Sequence, residues 1–185
     1  MASSHLILGG ARSGKSRFAI ALPPPRARVA FVATAEPGDA DMAQRIARHR
    51  VDRPRHWVTV EEPHELVAAL ERLAGQAFDA IIVDCLTLWV SNRVLRGDGD
   101  KVILEGGERL AGLIEGRRPA AVIVSNEVGQ GVHPETADGL RFRDLLGLVN
   151  QRVAAACDQV TLMVAGLPVL LKSPPPTHDL THQAS

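Results

Sequence analysis

Short apolar runs rich in Val, Ile and Leu recur along the chain, at His5–Leu8, Val29–Ala33, Ala80–Val83, Ala121–Val124 and Val160–Ala165. His56–Val60 is a weaker sixth run and Val169–Leu171 a seventh. They are continuously apolar rather than alternating, the pattern of strands buried on both faces of a parallel sheet. Between them lie segments of helical composition: Lys15–Leu22, stopped by Pro23-Pro24-Pro25, then Asp41–Arg50, Pro63–Leu73, Leu86–Arg96, Val102–Ile114 and Gly139–Ala156. Strand alternating with helix predicts an α/β fold of three layers, a mostly parallel sheet flanked by helices. No fixed-period repeat and no interior Ser- or Gly-rich linker interrupts the pattern. Residues 1–172 therefore read as one domain, and Ser173–Ser185, with its three prolines, as a solvated tail.

The chain has 185 residues, and its 45% hydrophobic and 23% charged content is ordinary globular usage. That excludes a disordered, collagenous or coiled-coil protein. Twenty-one basic and twenty-one acidic side chains cancel, so neither a generally basic nucleic-acid surface nor a polyanionic tail is present. Lys15, Lys101 and Lys172 are the lysines; the other basic side chains are arginines, which suit bidentate phosphate contacts. Cys85 and Cys157 stand far apart and form no C-x-x-C pair, as expected in a reducing cytosol. Met1–Leu8 is too short and uncharged for a secretory leader, and no apolar run approaches the roughly 20 residues of a spanning helix. A soluble, cytoplasmic protein without a membrane span and without a nucleic-acid partner is expected.

The clearest chemical signal is Gly9-Gly10-Ala11-Arg12-Ser13-Gly14-Lys15-Ser16, which satisfies G-x-x-x-x-G-K-[ST], with an apolar strand before it and a helix pattern after it. Glycines let backbone N–H groups curl around phosphate oxygens, and the helix start adds its positive dipole end. Lys15 then reaches the β- and γ-phosphates and the Ser16 hydroxyl offers a ligand to Mg²⁺. An accidental glycine-rich turn is the competing account, and the flanking strand and helix argue against it. Ala80-Ile81-Ile82-Val83-Asp84 is an apolar strand ending in a carboxylate, which at the carboxyl edge of such a sheet faces phosphate and Mg²⁺. Alternatively, Asp84 caps the helix that begins near Leu86.

In Asp41–Arg55 a helical spacing puts Met42, Ile46 and His49 on one face, with Arg45, Arg48, Arg50, Arg53 and Arg55 crowding the same end. An amphipathic surface helix whose histidine tops the apolar stripe accounts for this pattern. The sharper reading is electrostatic. Several guanidiniums near one imidazole keep it neutral at pH 7, and a neutral imidazole is a competent nucleophile toward phosphorus. Glu61 and Glu62 either contact a ribose or base edge or form a solvated turn. The segment Asn126-Glu127-Val128-Gly129-Gln130-Gly131 is either an active-site loop or a plain strand-to-helix connection. The other histidines, His5, His56, His64, His133, His178 and His182, show no metal-ligand spacing, and Cys85 reads as core packing.

Taken together, GGARSGKSRFA, FVATAE, DMAQRIARHR with RPRHWVTVEEP, IIVDCLTLWVSN, VIVSNEVGQGVHPE and the stretch Arg141–Lys172 resemble the bifunctional adenosylcobinamide kinase/adenosylcobinamide-phosphate guanylyltransferase family of cobalamin biosynthesis. The resemblance runs from about Leu6 to Lys172. It implies a P-loop NTPase-type, RecA-like fold and two reactions. In the first, ATP or GTP phosphorylates the hydroxyl of adenosylcobinamide. In the second, a histidine, here His49, takes GMP from GTP and passes it to the cobinamide phosphate, giving adenosylcobinamide-GDP. The positions that match the family's nucleotide contacts are Gly9, Gly10, Ala11, Arg12, Ser13, Gly14, Lys15, Ser16, Ala33, Thr34, Ala35, Arg50, Val51, Asp52, Arg53, Glu61 and Asp84. Ser16 and Asp84 are the expected Mg²⁺ ligands, and a homotrimer is the expected assembly. A small-molecule kinase without the guanylyl step, and a nucleotide-operated switch, are the alternatives.

Overall fold

The computed structural model describes residues 4–36, 38, 50, 53–115, 119–131 and 133–173. Its strands are β1 His5–Gly9, β2 Val29–Ala33, β3 Val58–Glu61, β4 Ala80–Asp84, β5 Ala120–Val124, β6 Gln159–Val164 and β7 Leu167–Lys172. The helices among the described residues are α1 Lys15–Ala21, α2 Leu66–Ala74, α3 Leu86–Leu95, α4 Asp100–Ile114 and α5 Ala137–Ala156. One seven-stranded sheet runs in the order β3-β2-β4-β5-β1-β6-β7. All neighbours pair in parallel except β7, which returns antiparallel on β6.

The central strands bury both faces, and successive residues feed two separate cores. Leu6, Leu8, Ala30, Val32, Ile81, Val83 and Ile123 meet α2 to α5 on one side. Ile7, Val29, Phe31, Ala33, Ile82, Val122 and Val124 meet Ala19 of α1 on the other, with Phe18, Ile20 and Trp57 packed against them. Each large aliphatic side chain so buried contributes about 1.5–3 kcal/mol. The expected three-layer α/β architecture is thus present.

Some boundaries differ for identifiable reasons. α2 begins at Leu66 rather than Pro63, because Glu62 Oε1 accepts from the backbone N–H groups of Glu65 at 2.9 Å and His64 at 3.3 Å, holding residues 63–65 as a turn. α5 starts two residues earlier than expected, where the Thr136 hydroxyl accepts from Gly139 N at 3.1 Å as an N-cap. The outer strands also depart from the expected burial on both faces. β3 is largely exposed and β7 wholly so, because they form the two edges of the sheet. The helix expected over 41–50 lies outside the described residues but for Arg50, as does the tail expected from Ser173, apart from that first residue.

Candidate functional site

β1 delivers the chain to the phosphate loop at Gly9, whose φ is 148°. A Cβ there would come within 2.5 Å of the Met163 carbonyl oxygen of neighbouring β6, so the position accepts only glycine. Arg12 and Gly14 also take positive φ, at 57° and 93°, and this curls the loop into the start of α1. Lys15 is buried, and its ammonium donates to Gly10 O at 2.6 Å, to Gly9 O at 2.9 Å and more distantly to Ser13 Oγ at 3.4 Å. From behind, the turn between β6 and β7 braces the loop, Gly166 N donating to Ser13 O at 3.1 Å.

Sheet register brings the other expected residues to the same edge. Glu61 pairs with Ala33, Ala33 with Asp84, Asp84 with Val124 and Val124 with Ile7. Glu61, Ala33 and Asp84 therefore stand on one rung, level with the strand that enters the phosphate loop. Asp84 is not the cap of α3. Cys85 holds that position, and no side-chain cap bond is made. The Asp84 carboxylate and the Ser16 hydroxyl accept or donate no hydrogen bond among the described residues, so both oxygens remain open to a ligand. Two such hard oxygens, completed by phosphate oxygens and water, fit Mg²⁺ rather than a softer metal. Among the described residues no group of three or more His, Cys, Asp or Glu side chains is placed to hold a metal ion.

Arg50 forms an exposed ion pair with Glu61, while Glu62 serves the turn before α2. The guanidinium of Arg53 lies over the buried Phe31 ring, 3.7 Å from its centroid, a cation–π contact. Burial lowers the Arg53 pKa, and the nearby Asp84 carboxylate opposes that shift. Arg53 Nε is buried without a hydrogen-bond partner. Burial pushes the Cys85 thiol up to about 11, with Asp84 adding to the effect, so this sulfur is an inert packing group at neutral pH. Ala35 is partly buried just beyond β2. His49, Val51 and Asp52 lie outside the described residues.

The residues that hold these loops together carry no motif of their own. α3 laces the carboxyl edge of the sheet with side chains at 87, 89 and 92. Thr87 Oγ1 accepts from Asn126 N at 2.7 Å, and Trp89 Nε1 donates to His64 O at 2.8 Å. Asn92 Nδ2 donates to Thr34 O at 2.8 Å and to Pro63 O at 3.1 Å. Thr34 in turn clamps Cys85, accepting from its N–H at 2.8 Å and donating to its carbonyl at 2.7 Å. The signal in the sequence is a thin one, polar Thr87 and Asn92 inside a mostly apolar helix.

Comparison with known proteins places this geometry. The family model described as cobinamide kinase / cobinamide phosphate guanyltransferase matches residues 5–171. The chain is 47% identical over 174 residues to the bifunctional adenosylcobalamin biosynthesis protein CobP of Pseudomonas aeruginosa, covering 92% of this chain and 98% of that protein. It is 38% identical over 179 residues to the corresponding CobU protein of Escherichia coli, covering 90% and 98%. In fold it is similar to an ATPase of a bacterial type III secretion system, with a TM-score of 0.59 at 11% identity over 92% of this chain and 57% of that one. A phosphate loop, an open strand-end carboxylate and a match that spans nearly every described element lead to one conclusion: the chain belongs to the cobinamide kinase / cobinamide phosphate guanyltransferase family.

Proposed function

We propose that this chain runs both reactions of its family on the carboxyl edge of the sheet, with His49 as the covalent carrier. In the kinase reaction the alcohol of adenosylcobinamide takes the γ-phosphoryl group of ATP or GTP. In the second, an imidazole nitrogen of His49 bonds to the α-phosphorus of GTP as the α–β phosphoanhydride bond breaks and pyrophosphate leaves. An oxygen of adenosylcobinamide phosphate then attacks the same phosphorus, the P–N bond breaks, and the imidazole is restored as adenosylcobinamide-GDP departs.

The observation that carries this reading is the common rung of Glu61, Ala33 and Asp84 beside the Gly9–Ser16 loop. Lys15 supplies positive charge to the β- and γ-phosphates, backbone N–H groups of Gly10, Ala11, Arg12, Ser13 and Gly14 cradle their oxygens, and Arg50, Arg53 and Glu61 border the cleft. Ser16 and Asp84 would hold Mg²⁺, which neutralises phosphate charge when bound. Ala33, Thr34 and Ala35 line the nucleotide side of the cleft, and His49, Val51 and Asp52 complete the contacts by resemblance. The homotrimer follows from the resemblance, and the exposed apolar edge strand β7 offers an edge for contact between copies. No described helix is long and apolar enough to cross a membrane, and two free thiols fit a reducing cytoplasm.

Incubation with α-labelled GTP should leave acid-labile label on the wild-type protein, and γ-labelled GTP should leave none. Label that persists in His49→Asn, or is missing from the wild type, refutes the covalent role.

A further inference from the structure

The loop that follows β5 has no part in the two transfers as set out above. β5 lies between β1 and β4, so its carboxyl end opens into the gap between the phosphate loop and Asp84. Pairing continues past the strand: Ser125 N donates to Ile7 O at 2.9 Å, and Glu127 N donates to Gly9 O at 3.1 Å. The Lys15 ammonium donates to that same Gly9 carbonyl at 2.9 Å. Asn126, one residue before Glu127, is therefore a neighbour of the cation that meets the β- and γ-phosphates.

Its backbone is fixed on both sides. Asn126 N donates to Thr87 Oγ1 at 2.7 Å, and Asn150 Nδ2 donates to Asn126 O at 3.0 Å. Thr87 and Asn150 are 7% and 6% exposed. Burying a hydroxyl and a carboxamide carries a desolvation cost, yet α3 and α5 each commit one to the backbone of a single loop residue. The Asn126 carboxamide itself is partly exposed and makes no hydrogen bond among the described residues. The backbone that carries this neutral group with two N–H donors is thus fixed at the carboxyl edge of the sheet beside the phosphate loop, and no described residue takes up the group's hydrogen bonds.

We propose that the Asn126 carboxamide donates a hydrogen bond to a non-bridging oxygen of the γ-phosphoryl group during the kinase reaction, as a catalytic residue of that step. The inference rests on the kinase half of the function above. In that half the acceptor hydroxyl oxygen bonds to the γ-phosphorus while the bond to the β–γ bridging oxygen breaks. The nucleoside diphosphate leaves with the electron pair, and the hydroxyl proton passes to water. Charge spreads over the three non-bridging oxygens in the transition state, and a donor already in position stabilises it without reorganising. GMP transfer reacts at the α-phosphorus instead, so this amide does not touch its reacting group.

Because one protein performs both reactions, each is a control for the other. Full-length wild type, Asn126→Ala and Asn126→Asp are compared in Mg²⁺ for phosphorylation of adenosylcobinamide by ATP, for GMP transfer from GTP to supplied adenosylcobinamide phosphate, for ATP affinity and for thermal midpoint. Asn126→Ala should lower the kinase kcat about 100-fold, with Asn126→Asp lower still because its charge faces the phosphate. GMP transfer, ATP affinity and midpoint should stay within about threefold or a few degrees of wild type. A kinase kcat for Asn126→Ala within threefold of wild type overturns the proposal. So does a loss of GMP transfer equal to the kinase loss, since that marks a structural role. Wild type that transfers GMP but never phosphorylates adenosylcobinamide overturns the kinase reading and this inference together.

Discussion

Gly9 shows how much of the site depends on single atoms. With φ at 148° and the Met163 carbonyl 2.5 Å from where a Cβ would stand, the loop turns here because a side chain is missing. Gly9→Ala should cost about 1–3 kcal/mol of stability and at least tenfold in ATP affinity, checked by thermal unfolding and nucleotide titration. An alanine variant that melts and binds like wild type would remove Gly9 from the loop's requirements. Lys15 is legible in the sequence because a phosphate loop is a contiguous motif. Arg53 is legible only as a charge. Its seat on the Phe31 ring joins residues 22 positions apart, a distance that no local spacing encodes. Of the two readings of Asp84, only the helix cap is removed by folded geometry, in which Cys85 occupies that position.

Among elements, α3 links most of what matters. Its side chains at 87, 89 and 92 tie down loops after β2, β3 and β5, and its carboxyl end enters an ionic cluster. Arg93 Nε donates to Asp98 at 2.5 Å and Arg96 to the same carboxylate at 2.8 Å, while Arg96 also reaches Glu65 at 3.0 Å. These hydrogen bonds, Arg96's first, hold Asp98 at about 2, below its ordinary value of 3.8. A depressed carboxylate pKa stabilises the fold above the unfolded value, and that contribution is lost as pH falls through the folded one. Asp98→Asn should therefore be less stable than wild type by about 2 kcal/mol at pH 7. The gap should close between pH about 4 and about 2, as chemical unfolding across pH would record. A constant difference across that range would count against the pairing. None of this is visible in the sequence, where Thr87, Ser91, Asn92 and Arg93 read only as scattered polar positions in a mostly apolar helix, because the helix's partners lie in loops whose approach spacing does not encode.

At the scale of the molecule, the alternation of apolar runs and helices was enough to read a three-layer sheet, and most element bounds fall within two residues. Strand order and the edge positions of β3 and β7 were not legible, since composition does not tell a central strand from one with an open side. β7 leaves Leu167, Val169, Leu170 and Leu171 from 46% to 69% exposed, and Val164 of β6 beside them is 52% exposed. Contiguous apolar surface of this kind is a candidate for contact between chains. If β7 is the contact of the proposed homotrimer, Leu167→Lys combined with Leu170→Lys should leave the 19.8 kDa chain a monomer in analytical ultracentrifugation. Unchanged sedimentation of the double variant would place the interface elsewhere. The same hairpin closes through a turn whose Gly166 amide leans on the phosphate loop at Ser13. For labelling or surface attachment, then, the end of β7 is a poor handle: whatever tugs on that strand is transmitted, across one amide, to the grip on the nucleotide.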